Sequence, residues 1–257
     1  PHKNHDEEEC KKPVISCDYC FMGEKVEDDT ISSKCIPIYV SRCHHDRWTT
    51  AHAVPRKGED PYAIQASAND LELSGYTDFV FKSDGEASIK ALKRRAVEEL
   101  RKKVGEVRVQ YEEAGTGESQ QNAHVERAIW EVEGLARTNV FAAEALHGVK
   151  TTLDHPLRIW AIEYAGQMIN RAQVSSKDGR TAYELRKGRP YRRPLPPFGE
   201  AVMYLKVALN KRRRKYDDRF GTVIFVGLIE RSNELRLLTP AGVIKVINVK
   251  RLPPSQR

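Results

Sequence analysis

The chain has 257 residues, 31% of them charged and 40% hydrophobic, the composition of a globular protein with enough apolar material for one large or two modest cores. No apolar run approaches 18 residues and no apolar leader opens the chain, so neither a membrane span nor a signal peptide is expected. The formal charge of +7 is unevenly spread: residues 186 to 257 hold 18 Lys and Arg against 5 Asp and Glu, a balance of +13, which leaves −6 on residues 1 to 185. A basic rear of this kind points to a polyanionic partner.

Residues 1 to 12 are polar and charged and read as a flexible segment. The run Val14 to Met22 is an apolar strand with one acid inside it, Asp18, and an acid placed there is costly unless it is paired or bound to a cation. His2, His5, Cys17 and Cys20 are zinc-ligand types. Cys17 and Cys20, however, lie three apart on a strand and face opposite sides, so zinc is not expected in this segment. Five cysteines at irregular spacing, Cys10, Cys17, Cys20, Cys35 and Cys43, favour reduced thiols in a cell interior.

Gly23 to Ser33 reads as an acidic turn. Lys34 to Val40 and Arg47 to Val54 are the second and third strands of a meander, with His44, His45 and His52 as turn and surface groups. Asp60 to Leu73 has helical periodicity. A short Phe and Val strand from Asp78 then ends at Asp84-Gly85, and Glu86 to Val104 is an amphipathic helix. Arg108 to Tyr111 is a fifth strand, and Ala114 to Glu118 a glycine loop without the Lys-Ser/Thr of a nucleotide cradle, read as an active-site flap. A long helix is expected to start at Ser119 as N-cap, with a buried stripe through Val125, Ile129 and Val132. Glu126 sits one residue off that stripe, on the edge shared by Asn122 and Trp130. One acid inside a strand, one at a strand tip and one on a helix edge are what a two-metal phosphoryl-transfer site requires.

At Asp18 in Asp-Tyr-Cys-Phe, Asp84 in Lys-Ser-Asp-Gly and Glu126 in Gln-Asn-Ala-His-Val-Glu-Arg, the sequence resembles the integrases of retroviruses and long-terminal-repeat retrotransposons. The resemblance implies an α/β, ribonuclease-H-like core with a mixed five-stranded sheet flanked by helices over residues 13 to 175. It also implies a linker at 176 to 197, a small SH3-like β-barrel at 198 to 252 and a tail at 253 to 257. Asp18, Asp84 and Glu126 would be both catalytic residues and ligands of two Mg²⁺ or Mn²⁺ ions, trimming the 3′ ends of element DNA and joining them to a target duplex. Two departures stand out. The 41 residues between Asp84 and Glu126 exceed the family's usual interval, and Asp84 is followed by Gly85-Glu86 where an Asn is common. The start at Pro1 fits a segment of a longer polypeptide, with any zinc domain upstream.

Pro156 to Arg171 reads as a further helix, its apolar excess serving the core or a subunit contact. Beyond the Gly, Pro and Arg-rich stretch to Pro197, short strands recur from Glu200, Thr222, Glu234 and Val243, as in a small barrel. Lys211, Arg212, Arg213, Arg214 and Lys215 lie between the first two of these, and the expectation is that they grip DNA phosphates, with Asn122, Arg127 and Arg137 contacting DNA nearer the acids. The partners expected are double-stranded DNA and further copies of the chain, with no membrane, in the nucleus after cytoplasmic assembly. Three rivals share parts of this reading: another ribonuclease-H-like nuclease, a DNA transposase, and a domesticated, catalytically inactive DNA-binding protein.

Overall fold

Val14, Ile15, Cys17, Tyr19 and Phe21 supply the apolar, β-prone residues of the first strand, β1 (Val14–Met22), from which one sheet grows outward on both sides. The computed structural model describes residues 12–23, 35–113, 122–206 and 218–253. On one side β1 pairs antiparallel with β2 (Ile36–Cys43), and β2 with β3 (Thr49–Ala53). On the other side β1 runs parallel to β4 (Asp78–Ser83), and β4 parallel to β5 (Arg108–Glu113). The resulting order β3-β2-β1-β4-β5 is a mixed five-stranded sheet that fits the ribonuclease-H-like core expected above.

Parallel strands need crossovers, and helices supply them. Helix α1 (Pro61–Ser74) starts where the Asp60 carboxylate accepts the backbone N–H groups of Tyr62 and Ala63, with Pro61 in the first turn, and stops at Gly75 in the left-handed region at φ 75°,. Helix α2 (Ala87–Val104) buries Ile89, Leu92, Ala96, Val97 and Leu100, the stripe its periodicity predicts. Phe79 and Phe81 of β4, fully buried, meet edge to face at 6.0 Å.

The described residues divide into two compact units, with the boundary between Ile129 and Trp130. Helix α3 (Ala123–His147) crosses that division. Its first described turn begins at Asn122, and Ser119, expected as its cap, lies outside the described residues. The stripe it buries runs through Val125, Ala128, Val132, Ala136, Val140 and Ala143, so Ala128 takes the place expected of Ile129.

In the second unit α4 (Pro156–Ala172) packs on β7 (Phe220–Leu228), with Tyr164 against Phe198 and Phe225. A short helix, α5 (Ala182–Lys187), interrupts the Gly, Pro and Arg-rich stretch and carries a complete capping box between Thr181 and Glu184,. Strands β6 (Ala201–Leu205), β8 (Leu235–Thr239), β9 (Gly242–Val246) and β10 (Lys250–Arg251) join β7 in an antiparallel sheet of order β10-β6-β7-β8-β9. Its edge strands β10 and β9 are not paired with each other among the described residues, so the sheet is not shown to close into a barrel. Among the described residues no helix is long and apolar enough to cross a membrane.

Candidate active site

Two of the three predicted acids stand side by side, and the β-ladder explains why. Ser16 of β1 is register partner to Lys82 of β4, so two residues further along these parallel strands Asp18 is level with Asp84, just past the end of β4. Neighbouring strands are about 4.8 Å apart. Strand alternation puts both aspartates on one sheet face and Cys17, Tyr19, Phe81 and Ser83 on the other.

Asp18 is half-buried. Burial lifts its carboxyl from 3.8 to about 6, the charges of Asp84 and Glu86 add to the rise, and the Tyr19 N–H donated to its Oδ1 at 2.7 Å and the charge of Lys57 oppose it,. A carboxylate desolvated beside another carboxylate is short of positive charge. Asp84 uses one oxygen, Oδ1, to accept the Glu86 N–H at 3.2 Å, a turn that leads into α2,.

Behind the pair the sheet is stiff. Ser83 donates its hydroxyl to the Asp84 carbonyl at 2.9 Å and accepts from Lys93 Nζ at 2.9 Å, and Lys93 also donates to the Glu112 carbonyl at 3.2 Å. The Lys93 ammonium is buried between the faces of Phe81 and Tyr111, and this desolvation pulls its pKa down. Burial likewise pushes the Cys17 thiol up to about 12.

Glu126 does not complete the set. It is exposed, and among the described residues no three His, Cys, Asp or Glu groups lie close enough to hold a metal ion. At the start of α3, His124 stacks on His44 at 3.9 Å, and His44 in turn meets the buried Ser16 hydroxyl at 2.6 Å. Val125 and Ala128 are the buried residues of this turn, and His124, Glu126 and Arg127 are exposed. His44, expected as a surface histidine, is half-buried, and burial, then the charges of His124, Lys82 and Arg42, lower its pKa to about 3.

Of the residues expected to contact DNA, Arg127 and Arg137 are exposed. Asn122 is 5% exposed, and its Oδ1 has no hydrogen-bond partner among the described residues. Lys211, Arg212, Arg213, Arg214 and Lys215 lie outside the described residues, as does the glycine loop at 114 to 118.

Sequence reasoning missed Lys57. Its Nζ donates to both oxygens of Glu86 at 3.0 and 2.8 Å, close enough for its charge to act on Asp18. The Glu86 side was legible as a departure after Asp84, but nothing in the spacing joins residues 29 places apart.

No family model and no curated protein matches the chain. Among solved structures, the HTLV-2 integrase catalytic core domain in complex with magnesium is similar at 12% identity and a TM-score of 0.46 in its trimeric form, covering 67% of this chain and 95% of that one. Its dimeric form gives 13% and 0.44, covering 68% and 95%. A chain of the simian T-cell lymphotropic virus intasome in complex with PP2A regulatory subunit B56 gamma gives 12% and 0.44, covering 94% of this chain and 79% of that one.

Proposed function

We propose that this chain is a metal-dependent polynucleotidyl transferase of the integrase kind, acting on the ends of double-stranded DNA. The observation that carries the reading is the level placement of Asp18, inside β1, and Asp84, just past the end of the adjacent parallel strand β4, with the Asp18 carboxyl desolvated and raised to about 6. Two hard oxygen donors with excess negative charge fit Mg²⁺ or Mn²⁺. Asp18, Asp84 and Glu126 would hold two such ions, which when bound activate the attacking hydroxyl and stabilise the leaving oxygen.

The chain's own contribution is placement. The β1–β4 ladder fixes the spacing of the two aspartates, and the buried Lys93 and Ser83 hold the tip of β4. Asp84 keeps Oδ2 free of its own turn. For Glu126 to join them, the start of α3, where His124 stacks on His44, would have to move. The basic segment Lys211 to Lys215 supplies phosphate contacts without base information. The expected SH3-like barrel, oligomer and nuclear location belong to the same proposal.

The exposed position of Glu126 favours one rival, a DNA-binding protein without turnover. One experiment decides between them. Asp18→Asn, Asp84→Asn and Glu126→Gln should each abolish 3′-end processing and joining in Mg²⁺ while DNA binding persists. A Glu126→Gln variant with normal turnover removes that residue from the reading, and a wild-type chain that binds but never turns over supports the rival.

A further inference from the structure

Beyond the two aspartates, the tip of the first sheet holds a cation in a defined seat. Lys57 Nζ lies against both oxygens of Glu86 and over the rings of Tyr19, at 5.3 Å, and Phe21, at 4.9 Å. Glu86 is itself fixed by the Ser88 hydroxyl at 2.5 Å. Burial alone raises the Glu86 carboxyl, but the hydrogen bonds from Lys57 and Ser88 outweigh it and leave its pKa below the ordinary value.

The backbone that carries Lys57 is anchored just after it. Gly58, at φ 84°, donates its N–H to the Tyr19 hydroxyl at 3.1 Å, and Asp60 caps α1. The Lys57 side chain is partly exposed. A partly exposed ion pair adds little to stability, so the fold itself gains little from this arrangement.

The electrostatics of substrate binding give it a use. A phosphodiester brought to Asp18 and Asp84 adds negative charge to a corner that already holds Asp18, Asp84 and Glu86. A flexible lysine whose charge already acts on Asp18 reaches a phosphate oxygen by exchanging one anionic partner for another. We propose that Lys57 contacts a backbone phosphate of the bound DNA strand and that Glu86 holds it in place until that phosphate competes for it. The proposal rests on the DNA-end reading given above.

Opposite effects of the two partners test it. Binding of the full chain to a labelled duplex oligonucleotide is followed by fluorescence anisotropy across a salt series in EDTA, with thermal melts to show that each variant folds. Lys57→Gln should weaken binding about five- to tenfold near 0.1 M salt and reduce the slope of log affinity against log salt by about one. Lys57→Arg should retain both. Glu86→Gln, which frees the lysine, should tighten binding about two- to fivefold, because one anionic competitor is removed. If the pair only braces the loop, Lys57→Gln and Glu86→Gln shift affinity in the same direction or not at all, and the proposal is overturned. A wild-type chain that binds with the expected pattern of variants but neither cuts nor joins DNA leaves Lys57 in place and removes the enzyme reading. A wild-type chain that does not bind duplex DNA overturns both.

Discussion

Asp18→Asn should stabilise the metal-free protein while destroying its activity. In the folded chain the Asp18 carboxyl is raised from 3.8 to about 6, so folding disfavours its charged form. The sign follows from linkage: a raised folded pKa gives a contribution that is fully present below about pH 3.8 and is lost as pH climbs through about 6. The full shift corresponds to about 3 kcal/mol, and the partial exposure of the carboxylate screens this to about 1–2 kcal/mol. Asparagine keeps the shape and carries no charge. In EDTA at pH 8 its melting temperature should therefore exceed that of the wild type by about 3–6 °C, and the two should converge near pH 4. Mg²⁺ should narrow the gap at pH 8 by stabilising the wild type alone. Thermal melts at pH 4, 6 and 8 with and without Mg²⁺ measure this. An Asp18→Asn protein less stable than the wild type at pH 8 in EDTA, or a gap independent of pH, would refute the argument that the site is built around uncompensated negative charge.

The second unit offers independent checks. Glu230→Gln should cost about 3 kcal/mol in urea unfolding, because the buried Arg171 guanidinium makes a two-pronged pair with Glu230 at 2.7 and 2.8 Å and its Nε has no hydrogen-bond partner among the described residues; a loss under about 1 kcal/mol would show that the Gln167 carbonyl, Tyr183 and Tyr191 suffice to hold it,. Glu144 takes hydrogen bonds first from the Thr151 hydroxyl and backbone, then from Lys150 and Arg158, which draw its carboxyl down to about 2. Its stabilisation is present above pH 4.5 and lost as pH falls toward 2, so Glu144→Gln should flatten acid unfolding over that window, and an unchanged acid limb would exclude the assignment. Gly199→Ala should destabilise by about 2–4 kcal/mol, since φ is 80° there and an added Cβ would overlap the Ala143 side chain; a neutral melt would contradict that packing. Neutralising Lys211, Arg212, Arg213, Arg214 and Lys215 should weaken binding to all duplexes alike and flatten its salt dependence, and an unchanged salt slope would leave this run a solvated face.

What the sequence made legible followed from local rules. The alternation in Val14 to Met22 with a single acid within it, and the Asp-Gly after the Phe and Val strand, marked Asp18 as lying inside a strand and Asp84 at the end of one, which is where β1 and β4 carry them. The stripe of Ile89, Leu92, Ala96 and Leu100 marked α2. Helix α5 was equally readable in Thr181-Ala182-Tyr183-Glu184, the signature of a capping box, although proline and arginine around it read as linker. The rest depends on long-range packing. The stack of His124 on His44, 80 residues upstream, is one such contact at the start of α3. Lys57 with Glu86, Lys93 with Ser83 and Arg171 with Glu230 join residues that no periodicity connects. Closure of the C-terminal strands is also not a local property, since alternation specifies each strand and not which edges pair.

The central claim is that Asp18 and Asp84 form the metal-dependent centre of a DNA strand-transfer enzyme. Incubating the chain with a labelled duplex end and supercoiled plasmid in Mg²⁺ tests it most directly. The account predicts covalent joining of the label to the plasmid by the wild type, its loss in EDTA, and its loss in Asp84→Asn with duplex binding retained. Joining by Asp84→Asn at the wild-type rate, or a wild-type chain that binds both DNAs and joins neither, would contradict it.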